Sequence, residues 1–203
     1  MIDFTSNGKN EIFFVDGAEH ALSEVHFDAL TSASAHFLKC FKVNHEVDVY
    51  ISKRSELESL VARTRAYHMP PSFDRDNSIV CVFLNPNSSL EEMITSLAHE
   101  MIHVWQVERG DLHGSLWKGS DFSHYPYEYL PYEIEARYAQ KAIANCFFKN
   151  VLPNDFQLNA IRDHTDDKFK EIEKEFSDLN MKKKLASIAK IAGAIGVGAL
   201  LGL

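Results

Sequence analysis

Residues 97–106 read LAHEMIHVWQ, and inside them His99-Glu100-Met101-Ile102-His103 places two imidazoles four residues apart. Four residues advance a helix by about 400°, so His99 and His103 project from one face a turn apart, where both can reach one tetrahedral zinc. Glu100 is rotated by about 100° from His99, which sets its carboxylate beside a water on the metal rather than on the metal itself. Leu90, Met93, Ile94, Leu97, Met101 and Trp105 recur at helical spacing. They form a stripe opposite the histidines, since Met101 lies about 200° round from His99. The spacing predicts a helix that packs on one face and opens the other to a cleft.

A His-Glu-x-x-His pattern alone is weak, and its surroundings decide its weight. Just before it, Ile79 to Leu84 is an apolar run with strand propensity, ended by Asn85-Pro86. Ser88 and Ser89 follow, each with a glutamate three residues on, Glu91 and Glu92, so either can open a helix with a capping box. That helix is expected from about Leu90 to Glu108, stopping at Gly110. The strand before it offers an edge on which an extended peptide can add. Pro131 suits the first turn of a further helix running to about Lys149.

Farther out, Ile12 to Val15 reads as a strand closed by Asp16-Gly17, residues 22–42 as a helix, and Val47, Val49 and Ile51 as a half-buried strand. A short helix is expected near Ser55 to Arg63, then a turn-rich surface loop over 64–78. Beyond Pro153, Phe156, Leu158, Ile161, Phe169, Ile172, Phe176 and Leu179 give an apolar stripe to one or two charged helical segments ending at Lys184.

A catalytic zinc takes a third protein ligand and leaves its fourth position to water. His113, in GDLHGSLWKG, stands ten residues after His103, as in SprT-like proteases with a third histidine, although the interval is short for the chain to turn and return. Glu133, in LPYEIEARYAQKA, is the alternative. Ala136 and Ala139 on neighbouring helical positions would let its helix approach closely, which resembles gluzincins. Glu135 would point about 200° away from Glu133 and is expected to be a solvated carboxylate. Spacing leaves His113, Glu133 and Glu135 open.

LAHEMIHVWQVERGDL, then Trp117-Lys118-Gly119, then Pro131-Tyr132-Glu133-Ile134-Glu135-Ala136, resembles a family of small phage and bacterial proteins. Their shared order is HE(M/L)xHVxQ, WKG, P(W/Y)EIEA, and the likeness spans about residues 79–145. The resemblance implies an α+β, zincin-like metallopeptidase domain of gluzincin type, with a small mixed sheet beside the metal-bearing helix and a C-terminal helical segment. It implies His99, His103 and Glu133 as ligands of Zn2+ and Glu100 as general base in peptide-bond hydrolysis, in a phage or mobile-element setting. An oxyanion donor is also expected. The cluster His124, Tyr125, Tyr127, Tyr129 and Tyr132 precedes the Glu133 helix; His124 and Tyr127 are the candidates. Trp117 is expected to pack or to sit at a hairpin edge. His20, His26, His36, His45, His68 and His164 lack partner spacing.

Composition bounds the rest. The chain has 203 residues and a formal charge of -8, with four lysines and no acid in residues 181–203. Such an acidic body argues against nucleic acid as a partner and leaves a protein or peptide substrate. Three distant cysteines form no CxxC pair. The N-terminus shows no secretory signal, so the expected location is the cytoplasm of the producing cell. From Leu185 the sequence LASIAKIAGAIGVGALLGL carries one charge, and Lys182, Lys183 and Lys184 precede it. Ala194, Gly198 and Gly202 follow small-xxx-small spacing. This tail fits a membrane, a virion partner or another copy of the chain. The expected organisation is a metallopeptidase domain over 1–150, a charged helical extension over 151–184 and an apolar tail over 185–203. The rival function is a structural or membrane-associated interaction protein, such as a virion component, with a vestigial zinc site.

Overall fold

A computed structural model describes residues 2–3, 11–14, 22–53, 72–73, 77–84, 88–114 and 116–200; the side chains of 2–3, 11–14, 51–53, 72–73, 77–84 and 179–200 lie outside that description. In chain order the elements are β1 (Ile2–Asp3), β2 (Glu11–Phe14), α1 (Glu24–Cys40), β3 (Glu46–Lys53), β4 (Ser72–Phe73), β5 (Asn77–Leu84) and α2 (Leu90–Glu108). The short strands β6 (Leu112–His113), β7 (Leu116–Trp117) and β8 (Ser120–Asp121) follow. A 3-10 turn (Tyr127–Tyr129) then leads into α3 (Pro131–Phe148) and α4 (Asp155–Leu200). The class is α+β.

Five strands form one mixed sheet in the order β1-β2-β3-β5-β4. β2, β3 and β5 run parallel, and β1 and β4 are antiparallel to their neighbours. β4 falls where a surface loop was expected: Ser72 and Phe73 pair with Ile79 and Ser78. Two residues give no periodicity, so only the partner strand defines them. That pairing also takes the start of the edge expected of β5; among the described residues, Val80–Leu84 pair on one side only, with β3. The helix expected near Ser55 to Arg63 and the turn at Asp16-Gly17 lie outside the described residues.

α2 begins and ends where its capping residues place it. Ser89 Oγ accepts from Glu92 N, and Glu92 Oε2 accepts from Ser89 N at 2.7 Å, which satisfies two otherwise orphaned donors. At the other end Gly110, at φ 78°, lets Gly110 N donate to Val107 O and Asp111 N to Gln106 O, a left-handed closure that favours glycine. Between these caps the helix is buried on more than its apolar stripe. Ala98, Ile102, His103, Val104 and Gln106 are buried as well as Met93, Ile94, Leu97 and Met101. The open histidine face expected from the sequence is therefore corrected: α3 lies across it, brought close by Ala136 and Ala139, both fully buried.

Leu30 and Phe37 of α1, Val47 and Val49 of β3, the α2 stripe, Ile143 of α3, and Leu158 and Ile161 of α4 share one core. A smaller cluster joins Val107, Leu112 and Trp117, with Phe122 and Tyr132 against it. This is the packing role expected of Trp117. The residues after it explain the WKG string. Lys118 (φ 48°) and Gly119 (φ 80°) form the two-residue turn between β7 and β8, and a two-residue hairpin turn of this hand needs positive φ at both positions.

α4 is a single helix of 46 residues, the first of the two arrangements expected, and it runs on past Lys184 to Leu200. Leu158, Ile161, Phe169 and Ile172 of the expected stripe are buried, whereas Phe156 is 81% exposed. Among the described residues no helix is long and apolar enough to cross a membrane. The side chains of the apolar tail lie outside those residues.

Candidate metal centre

The crossing of α2 and α3 brings together groups far apart in sequence. His99 Nε2 stands 3.3 Å from Glu133 Oε2, and His103 Nε2 stands 3.4 Å from Glu133 Oε1. One ligand atom from each of the three residues lies within 4.8 Å of the other two. Donors bound at 2.0–2.1 Å to one tetrahedral centre stand about 3.3 Å apart, so both nitrogen–oxygen separations have the span of a shared metal. Pro131 starts α3, which puts Glu133 in the helix's first turn, where a carboxylate also suits the helix dipole.

The outer nitrogens show how the rings are oriented. His103 Nδ1 lies 2.8 Å from Gln106 Oε1, and His99 Nδ1 lies 3.0 Å from Gln140 Oε1. An amide oxygen accepts, so each Nδ1 donates, and a neutral ring then turns the lone pair of Nε2 toward Glu133. Lone pairs and a carboxylate facing one another call for a cation or protons between them. Glu133 Oε2 is buried without a hydrogen-bond partner, as expected of an oxygen whose partner is a metal ion. The donor set, two imidazoles and a carboxylate, suits such an ion.

Electrostatics follow from the same cluster. Burial opposes ionisation of Glu133, but the His103 and His99 rings beside it outweigh burial and hold the carboxyl far below its ordinary value. Burial likewise opposes the His103 imidazolium, and Glu133 and Glu100 overcome it, so His103 is raised above 6.5. Glu100 is half-buried, and loss of solvent pushes its pKa up although His103 and His99 pull it down. A carboxylate made more basic beside the ligands can take a proton. Of the two histidines His99 is the more open: its side chain is 15% exposed and that of His103 5%.

Tyr127 lies near the centre: partial burial and the Glu133 carboxylate raise its pKa, so its hydroxyl stays protonated. The Arg137 guanidinium lies over its ring at 5.9 Å and donates to Glu128 O and Glu133 O, tying the 3-10 turn to α3. His124 is exposed and packs on Tyr125 at 4.5 Å between ring centroids; no described contact joins it to the ligands. His113 is exposed on β6, outside the three-residue group. Glu135 is buried, not solvated: Gln106 Nε2 donates to it at 2.8 Å and Arg109 pairs with it. Its partners sit on α2 and at its C-cap, which spacing within α3 does not reveal.

Gln106 and Gln140 contact the ligands, and neither was singled out by its chemistry in the sequence. For Gln106 the available signals were its place as the closing glutamine of the HE(M/L)xHVxQ order and its position three residues after His103; for Gln140 it was periodicity alone, seven residues after Glu133 on the same helical face. No protein-family model, curated protein or solved structure matches the chain.

Proposed function

We propose that the chain is a zinc metallopeptidase of gluzincin type on a zincin-like α+β domain, with His99, His103 and Glu133 as ligands. The carrying observation is the convergence of both Nε2 atoms on a buried carboxylate with one oxygen unpartnered. Zinc would supply Lewis acidity, making a water acidic near neutral pH and polarising a substrate carbonyl. Glu100 takes the proton of the attacking water and passes it to the leaving amine; its raised pKa suits both steps. Tyr127, on the rim and protonated, donates to the developing oxyanion; it takes this role in place of His124.

The purified chain should carry about one zinc, because the three ligands form one site. Glu100→Gln should keep that zinc while hydrolysis of a fluorogenic peptide library falls by roughly 10²–10⁴-fold, the usual contribution of a positioned acid–base group. A wild-type chain that takes up no zinc, or a variant that cleaves as well as wild type, overturns the proposal.

A further inference from the structure

Behind His103 lies a buried polar chain. Gln106 is fully buried, and its amide reaches three groups: Oε1 meets His103 Nδ1 at 2.8 Å, and Nε2 donates to Tyr132 O at 2.9 Å and Glu135 Oε2 at 2.8 Å. A backbone carbonyl and a carboxylate accept only, so the amide cannot be turned round without facing oxygen with oxygen. Glu135 is held in turn by Arg109, whose Nε also pairs with Asp111. The Arg109 guanidinium lies 4.0 Å over the Trp105 ring and 5.8 Å from that of Trp117. Two indoles, one of them on β7, thus hold the cation that holds the carboxylate.

We infer that Gln106, fixed by Glu135 and Arg109, is a positioning residue that locks His103 with its proton on Nδ1 and Nε2 facing Glu133. This rests on the proposed zinc site and adds how one ligand is prepared for metal. The choice of an amide has a consequence. A carboxylate directly on Nδ1 would add negative charge beside Glu133 and Glu100, whereas glutamine transmits orientation and leaves the charge with Glu135, where Arg109 neutralises it. The order His103–Gln106–Glu135–Arg109 therefore separates geometry from charge. Partners behind a ligand of this kind commonly change metal affinity by about 10–100-fold.

The test uses the full chain and zinc alone. Affinity is measured by competition with a chromogenic chelator for wild type, Gln106→Leu and Glu135→Gln. Gln106→Leu should weaken zinc binding about 10–100-fold. Glu135→Gln should weaken it less, because an amide oxygen can still accept from Gln106. Zinc binding by Gln106→Leu within about two-fold of wild type, whatever its melting temperature, overturns the inference. A second measurement needs no variant. Imidazole ¹⁵N shifts of the metal-free wild-type chain, at a pH where His103 is neutral, should show its proton on Nδ1; a proton on Nε2 overturns the inference. Absence of zinc from wild type sinks the peptidase proposal, and the ¹⁵N measurement still decides the role of Gln106.

Discussion

His103 and Glu133 form a pair whose pH behaviour depends on whether metal is present. His103 is raised by Glu133 and Glu100 against the opposing effect of burial. In the metal-free protein its stabilising contribution is complete below the ordinary value of 6.5 and is lost as pH rises through the higher folded value. Zinc requires the neutral ring, so the proton competes with it from above 6.5 downward. The gap in melting temperature between zinc-loaded and chelated protein should therefore widen from about pH 6 to about pH 8. Scanning fluorimetry at several pH values checks this, and a gap that narrows would contradict the assignment. At this scale the sequence was informative where contacts are local. The His99–His103 spacing fixed a shared face, and Glu133 stood out through its small neighbours Ala136 and Ala139. Glu135 was not legible, because Arg109, its partner, comes from the cap of another helix 26 residues earlier.

The end of α2 shows how elements are joined. Glu108 accepts from Asn44 N at 3.0 Å and Asn44 Nδ2 at 3.1 Å, and meets His45 Nδ1 at 2.8 Å. Burial tends to raise its pKa, but these bonds prevail and hold the carboxyl below its usual 4.5. Its contribution is thus present above 4.5 and lost as pH falls through the depressed value. Glu108→Gln should destabilise the chain by about 1.5–3 kcal/mol at neutral pH, the range for hydrogen bonds to a charged group. The difference should shrink in acid, as urea titrations at two pH values would show. The bounds of α2 were legible because its caps, Ser89 with Glu92 and Gly110, are local signals. β4 was not, since Ser72 and Phe73 become a strand only by pairing with Ile79 and Ser78. The Lys118-Gly119 turn lay between: its glycine was visible, but the left-handed lysine depends on the hairpin around it.

At the scale of the molecule, α4 ties the site to a distant end. Phe169 packs on Phe122 at 4.9 Å, and Phe176 packs on Tyr125 and Tyr129 at 4.9 and 5.4 Å. The loop carrying Tyr127 is thus clasped by the same helix that continues to Leu200. Forty-six residues of helix span about 69 Å. We propose an anionic membrane surface as partner for the tail, from Lys182–Lys184 and the apolar sequence after them. Full-length chain should float with vesicles containing phosphatidylserine, less so as salt rises, and a chain truncated after Lys184 should stay at the bottom with its peptide cleavage intact. Equal flotation of both would reject the membrane role, and flotation by a full-length chain that cleaves no peptide would favour the rival structural function. The sequence marked this tail by composition but could not show that one helix carries both the clasp and the tail.

The unbroken burial of α2 from Met101 to Val107 bears on how such a chain can diversify. Met101 and Ile102 lie between the two histidines, while Gln106 and Val107 follow them in the same buried helix. A lineage that alters this helix to gain a new preference disturbs its fold in the same step. Inherited novelty is left to the rim, where Ser123 and His124 are exposed and can vary while the ligands stay fixed.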